Sequence, residues 1–146
     1  MQFDVTFFFQ GVSGATAYNG FKLTTMYPAQ TSVAGANLSA DAVNTWHPGN
    51  TGGSLFRLSN NDPNNNLRPS DFWLESTDYL RLKNLAIGYT IPNMKSFDRF
   101  RIYASAQNLF TITNYSGLDP EVSNRGIDGG QYPVSRVFTI GLNVSF

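Results

Sequence analysis

The chain has 146 residues, and its ten Lys and Arg residues are balanced by ten Asp and Glu residues. This length suits one domain at most, and the lack of net positive charge argues against a general affinity for nucleic acid. The absence of cysteine excludes disulfides, thiolate zinc sites and cysteine nucleophiles. A single histidine, His47, excludes a His–His metal pair within one chain. The longest apolar run is only a few residues, far short of the roughly 20 that a transmembrane helix needs.

The composition is unusual for a soluble domain. Charged residues make up 14% of the sequence, against about 25% in typical soluble domains. Aromatic residues also make up 14%, with twelve Phe and seven Tyr. Few charges and many aromatic residues favour alternating β-strands over amphipathic helices.

Four segments alternate apolar and polar residues with a period of two, which is the signature of a β-strand. In the first segment Phe3, Val5, Phe7 and Phe9 share one face. The sequence therefore predicts an all-β fold in which four strands form an antiparallel meander. The predicted strands cover about residues 2–12, 77–91, 99–110 and 136–146.

The second predicted strand changes phase near Lys83 and Asn84. Leu80 and Leu82 alternate in the opposite phase to the apolar residues that follow from Leu85 onwards. This change predicts either a β-bulge or an upper half of the strand that stands outside the apolar layer.

The connections between the predicted strands run long, short, long. Residues 19–75 and 111–135 lack periodicity and are rich in Gly, Pro and Asn, so both are predicted to be loops. A short helix is predicted at Ala40–Thr45, with Ser39 as its N-cap. The break at Pro92–Asp98 is short.

Strand length and loop order together fit a transmembrane β-barrel. A tilted membrane-spanning strand needs about 9–11 residues, which the predicted strands match. Outer-membrane barrels have short periplasmic turns and long extracellular loops. The sequence thus predicts strands of a transmembrane β-barrel, with long extracellular loops and a periplasmic C-terminus.

Two other classes also accommodate these strands. Alternating strands joined by Gly- and Pro-rich loops describe a soluble carbohydrate-binding β-sandwich as well. Three copies of a four-stranded chain could also close a twelve-stranded pore. Solubility without detergent would identify the sandwich, whereas further strands encoded upstream would identify a single-chain barrel.

Most of the chain resembles the C-terminal part of SusC/RagA-type TonB-dependent outer-membrane importers. The opening FDVTFFFQGVSGATAYN is similar to the strand that these proteins place before their last long extracellular loop. The other matching segments are YLRLKNLAIGYTIP (Tyr79–Pro92), RIYASAQNLFTITNYSGLDPEVS (Arg101–Ser123) and YPVSRVFTIGLNVSF (Tyr132–Phe146).

The resemblance implies a non-enzymatic role, without a cofactor, in the outer membrane of a Gram-negative, Bacteroidetes-like bacterium. Members import glycans, oligosaccharides or peptides through a barrel of about 22 strands with an internal plug. TonB supplies the energy through N-terminal regions, and a SusD-like surface lipoprotein helps to capture substrate. The resemblance therefore implies that this chain supplies the last four strands of a large transmembrane β-barrel, surrounded by the rest of the barrel, the plug and the lipid bilayer. The fragment alone is expected to be incompetent for transport.

Candidate functional residues fall into three groups. The resemblance implies a signal for the outer-membrane assembly machinery in the alternating residues Phe138, Ile140, Leu142, Val144 and Phe146. Polar alternation predicts lumen-facing side chains at Arg99, Arg101, Tyr103, Gln107, Thr139 and Asn143. Trp46 and Trp73 are candidates for stacking on a substrate, although the favoured interpretation is that they anchor the aromatic girdle of the barrel or pack within the loop.

The sequence predicts no metal site. Asp119, Glu121 and Asp128 offer oxygen ligands, but their spacing does not match an EF-hand loop. A lone loop histidine such as His47 is usually solvated.

Overall fold

The computed structural model describes residues 2–27, 37–59, 61–94, 97–122 and 126–146. Within these ranges, no helix is long and apolar enough to cross a membrane. In chain order the elements are β1 (Gln2–Val12), β2 (Thr16–Asn19), α1 (Gly20–Met26), 3-10 helices at Ala40–Asn44 and Asp71–Trp73, β3 (Leu74–Ser76), β4 (Tyr79–Met94), β5 (Phe97–Gln107), β6 (Thr111–Thr113), β7 (Ile127–Asp128) and β8 (Val137–Ser145).

The chain divides into two compact units. We call Met1–Ala15, Thr77–Asn114 and Pro133–Phe146 the sheet unit. We call Thr16–Ser76 and Tyr115–Tyr132 the loop unit.

The sheet unit is an antiparallel meander of the four long strands in the order β1-β4-β5-β8. Every neighbouring pair is antiparallel, which confirms the predicted fold class. Strands β1 and β8 lie at the two ends of this order. The connection between the second and third long strands is shorter than the predicted break at Pro92–Asp98, because β4 extends to Met94 and β5 begins at Phe97. Residues 95 and 96 lie outside the described ranges.

The strand register sorts the side chains into two faces. Residues directly opposite each other on neighbouring strands point to the same side of a sheet, and the side alternates along each strand. The apolar face comprises Phe3, Val5, Phe7, Phe9, Leu80, Leu82, Leu85, Ile87, Tyr89, Ile91, Phe100, Ile102, Ala104, Ala106, Phe138, Ile140, Leu142 and Val144. The polar face comprises Gln2, Asp4, Thr6, Phe8, Gln10, Arg81, Asn84, Ala86, Gly88, Thr90, Arg99, Arg101, Tyr103, Ser105, Gln107, Val137, Thr139, Gly141, Asn143 and Ser145.

The phase change in β4 is a β-bulge at Lys83. Phe8 pairs with Asn84, whereas the next residue, Phe9, pairs with Leu82, so Lys83 is the extra residue. Because a bulge absorbs one residue, the apolar residues on both sides of it stay on the apolar face. The bulge is therefore the correct one of the two predicted explanations.

Strand β5 ends three residues earlier than predicted. Asn108 adopts φ 51°, a left-handed conformation that Asn tolerates better than most residues. The chain then re-enters the sheet as β6, which pairs with Tyr79–Arg81 of β4. Arg81 is buried there, and its Nε donates a hydrogen bond to Thr111 Oγ1 at 2.7 Å.

The long connections contain ordered structure that the sequence did not predict. In the loop unit, β2 pairs antiparallel with β3 and parallel with β7. Helix α1 follows β2, and the Asn19 side chain caps it by accepting a hydrogen bond from Lys22 N at 2.8 Å. The helix predicted at residues 40–45 is a 3-10 helix over Ala40–Asn44, with Ser39 as its N-cap.

An aromatic cluster forms the core of the loop unit. Met26, Tyr27 and Trp73 are buried at its centre. Partly buried side chains pack around them, namely Tyr18, Leu23, Leu55, Phe56, Leu58 and Leu67. This core explains why a connection with no sequence periodicity folds, since its apolar residues converge from distant positions rather than along one element.

The two tryptophans should report on this core separately. Trp73 has no exposed surface, whereas Trp46 is 40% exposed. In the 146-residue chain dispersed in detergent, we expect the fluorescence of a Trp46→Phe variant, which retains only Trp73, to resist quenching by acrylamide. A Trp73→Phe variant, which retains only Trp46, should be quenched readily. Equal quenching of the two single-tryptophan variants would contradict the described core.

Candidate functional site

The apolar face of the sheet is exposed over most of its area. Ile140 is 83% exposed and Phe3 is 72% exposed, although both belong to regular strands. Monomeric soluble proteins rarely show contiguous apolar patches larger than a few hundred Å². The other exposed large apolar side chains on this face are Val5, Phe7, Phe9, Leu80, Ile87, Ile102, Phe138, Leu142 and Val144. This face therefore needs an apolar environment.

Aromatic contacts lie towards both ends of the apolar face. The rings of Phe3 and Tyr89 lie with their centroids 4.6 Å apart. Towards the other end of β1, Phe9 contacts Phe7 at 6.1 Å and Phe110 at 6.3 Å in edge-to-face arrangements. Two aromatic bands flanking an aliphatic centre are typical of a sheet that crosses a membrane.

An ion pair crosses the polar face. Arg101 of β5 contacts Asp4 of β1 through two bonds, Nη2 to Oδ2 at 2.5 Å and Nε to Oδ1 at 3.2 Å. The two strands lie on either side of β4, so the pair passes over Gly88, which faces Asp4 in the register. A Cβ at Gly88 would overlap the guanidinium group. Glycine at this position thus makes the ion pair possible.

A tyrosine ring extends this cluster across the sheet. The guanidinium carbon of Arg101 lies 5.2 Å from the centroid of the Tyr103 ring, within range of a cation–π interaction. The same ring covers Gly141, its neighbour on β8, and a Cβ at Gly141 would overlap it. Bulky residues on β1 and β5 therefore alternate with glycines on β4 and β8.

All six predicted lumen-facing residues lie on the polar face. Their placement follows from the register, in which Arg101 faces Asn143 and Gln107 faces Val137. Asp4 and Gly88 were not among the residues predicted to face the lumen. Asp4 occupies a polar position of the β1 alternation, but its partner is 97 residues away, and pairing at that distance depends on the register.

The residues of the proposed assembly signal lie along one edge of the sheet. Phe138, Ile140, Leu142 and Val144 alternate on the apolar face of β8, and Phe146 follows the strand with 88% of its surface exposed.

Trp73 is not placed to stack on a substrate. Its ring lies 4.9 Å from Phe72 and 5.8 Å from Phe56, measured between centroids, and it is fully buried. The ring fills the core of the loop unit, which agrees with the favoured interpretation of packing within the loop. Trp46 retains exposed surface, and its role stays a prediction.

Two of the three acidic residues considered as metal ligands, Asp119 and Asp128, accept hydrogen bonds within the loop unit. Buried Asp128 accepts a bond from the Tyr115 hydroxyl at 2.6 Å and another from Gly130 N at 2.8 Å. Asp119 accepts a bond from Glu121 N at 2.9 Å. Within the part of the chain that the structure describes, no three acidic or histidine side chains converge as a metal site.

Glu75 links α1, β3 and the second segment of the loop unit. Its carboxylate accepts bonds from Lys22 Nζ at 2.8 Å and from Ser116 Oγ at 2.6 Å. Burial alone would raise the pKa of Glu75, but the bonds from Lys22 and Ser116 outweigh it, so this pKa lies below its usual range. The stability that Glu75 contributes is therefore present above the ordinary carboxyl pKa and is lost as the pH falls through the lowered one.

The chain is similar to known receptors over nearly its whole length. It is 35% identical to TonB-dependent receptor P3 of Formosa agariphila over 159 aligned positions, which cover 99% of this chain and 15% of that protein. It is 38% identical to TonB-dependent receptor SusC of Bacteroides thetaiotaomicron over 82 positions, or 53% of this chain and 8% of that protein. No protein-family model matches the sequence.

The fold shows the same relationship. The structure of the RagAB peptide importer in its closed-closed state aligns with 99% of this chain and 16% of that chain, with a TM-score of 0.79 and 26% identity. These relatives are named as receptors and importers rather than enzymes. The chain spans about 15% of the length of the first curated relative. It is thus homologous to a barrel segment of outer-membrane TonB-dependent receptors of the SusC and RagA type.

Proposed function

We propose that this chain forms part of the barrel wall of an outer-membrane importer of glycans, oligosaccharides or peptides. The two-sided sheet carries this proposal. Its exposed apolar face suits lipid, and its polar face, which carries the Asp4–Arg101 pair, suits a water-filled or plug-filled lumen. The likeness to the SusC and RagAB proteins supports import as the activity of the complete protein.

We propose an orientation in which the short β4–β5 connection and the end of β8 face the periplasm. The observation behind it is the contrast in connection length. Two residues separate β4 from β5, whereas the connections after β1 and β5 contain the loop unit. Short turns lie on the periplasmic side of outer-membrane barrels and longer loops lie outside.

The complete importer would work with partners that this segment does not include. We propose that a plug occupies the lumen beside the polar face, that TonB drives import through other regions of the protein, and that a SusD-like lipoprotein assists capture at the cell surface. The likeness to SusC and RagAB supports this assembly.

The segment alone would not transport. Strands β1 and β8 each leave one edge unpaired within the described residues, and every unpaired backbone group in hydrocarbon costs several kcal/mol. The smallest single-chain barrels have about eight strands. Four long strands therefore need the remaining strands of a barrel to close the sheet.

The proposal that the apolar face contacts lipid and the polar face lines the lumen is tested by placing arginine on adjacent residues of β8 in the full-length receptor. Ile140 lies on the apolar face in the central row with Val5, and Thr139 lies on the polar face opposite Ser105. Ile140→Arg should lower the free energy of unfolding by about 2–4 kcal/mol, the cost of arginine at the lipid-facing midplane. Thr139→Arg should cost much less.

The measurement is urea unfolding in lipid vesicles, with the amount of heat-modifiable receptor in the outer membrane as a second readout. Equal destabilisation by the two arginines would contradict the proposed orientation of the two faces.

The amount of assembled receptor also tests the assembly signal, since deletion of Phe146 should lower this amount more than Ser145→Ala does.

Import is tested by deleting the gene that encodes the complete receptor. The strain should lose growth on at least one member of a panel of oligosaccharides and peptides supplied as the sole carbon source. Growth on glucose should be unaffected, and the full-length gene should restore the loss. Unchanged growth on the whole panel would contradict an importing role for those substrates.

A further inference from the structure

The loop unit contains a small cavity with an unusual lining. Its volume is about 140 Å³, and its walls are formed by Phe56, Asn66, Arg68, Ser70 and Phe72. Pockets for drug-sized ligands are about 300–1,000 Å³. The cavity therefore suits a single ring of a larger ligand rather than a whole molecule.

Two phenylalanine rings form its apolar wall. Phe56 and Phe72 lie 4.8 Å apart between ring centroids, with their planes inclined by 57°. Tyr27 stacks on Phe56 at 5.1 Å, and Trp73 packs edge-on against both phenylalanines. Because Tyr27 and Trp73 are buried in the core, the wall is held in place before any ligand arrives.

A structured turn carries the polar side of the cavity. The Asp62 carboxylate accepts hydrogen bonds from Asn66 N at 2.8 Å and from Leu67 N at 2.9 Å. Leu67 packs against the core, and the Arg68 backbone N–H bonds to Asn65 O at 3.4 Å. These contacts fix the backbone positions of Asn66 and Arg68, two of the three polar residues that line the cavity.

The charge of Arg68 is uncompensated in the described part of the chain. There, Lys22 pairs with Glu75 and Arg101 pairs with Asp4. No ion pair or side-chain hydrogen bond joins the Arg68 guanidinium to any described residue. A planar guanidinium binds carboxylates through two parallel hydrogen bonds, so the cavity offers an anion site beside an aromatic wall.

We propose that this cavity binds one acidic sugar ring, a hexuronate residue of an oligosaccharide. The C–H face of the ring would lie on Phe56 and Phe72, since the faces of aromatic rings are electron-rich. The carboxylate would pair with Arg68, and ring hydroxyls would bond to Asn66 and Ser70. The cavity therefore offers a partner for each kind of group on an acidic sugar: an aromatic wall for its C–H face, a cation for its carboxylate, and an amide and a hydroxyl for its hydroxyl groups. This inference rests on the proposed import function, because it specifies a class of substrate.

The experiment uses the full-length receptor in detergent and isothermal titration calorimetry. The probes are trimers of galacturonate, glucuronate and mannuronate, each compared with its neutral hexose trimer. At least one uronate trimer should bind, and its neutral counterpart should bind at least about tenfold more weakly, as expected for the loss of a charged hydrogen bond. Arg68→Gln should weaken uronate binding by a similar factor, and Phe72→Leu should weaken it as well.

Arg57→Gln is the matched control. Arg57 is an exposed arginine of the same unit that does not line the cavity, so its loss removes the same charge and should leave binding unchanged. Heat-modifiable mobility checks that each variant folds.

Three results would overturn the proposal. They are the absence of binding by every uronate trimer, equal binding to the Arg68→Gln variant, and binding of an acidic peptide such as triglutamate in place of the uronates. A receptor that assembles and supports growth on its substrates yet gives one of these results would overturn the sugar site alone. Failure of assembly or growth would instead contradict the proposed import function.

Discussion

The register of the four long strands is the constraint on which the rest of the sheet depends. A slip of one residue in any strand would move all its apolar side chains to the other face. The bulge at Lys83 preserves this division of the side chains between the two faces. It places Leu80 and Leu82 on the same face as Leu85, although the sequence between them is out of phase. The apolar face is continuous along β4 because of that one extra residue.

The polar face follows from the same register. Asp4 reaches Arg101 only because Gly88 lies between them without a side chain, and Tyr103 lies across the sheet only because Gly141 does the same. A partly exposed ion pair of this kind adds little to the stability of the fold. Its significance is where it lies, since charged side chains on the opposite face would be costly in lipid. The apolar face thus carries the side chains that suit lipid, and the polar face carries the charged and polar side chains that need water or a polar partner.

Much of the sheet could be predicted from the sequence, because alternation with a period of two is a local property of each strand. The phase change at Lys83 was visible for the same reason. The Asp4–Arg101 pair could not be predicted, because it depends on which residues of distant strands face each other. The structure of the loop unit was also hidden. Helix α1 has only seven residues, and Trp73 is buried by residues as far away in sequence as Tyr27, so no periodic signal marks either of them.

A role in a barrel wall requires that the apolar face of the sheet contact lipid rather than a second protein layer. The most direct test is sedimentation of the refolded 146-residue chain in water and in detergent. We expect aggregation in water, through the exposed face and the open strand edges, and dispersal as protein–detergent complexes when detergent is added. A monodisperse monomer in water with cooperative unfolding would contradict this role and would favour a soluble β-sandwich.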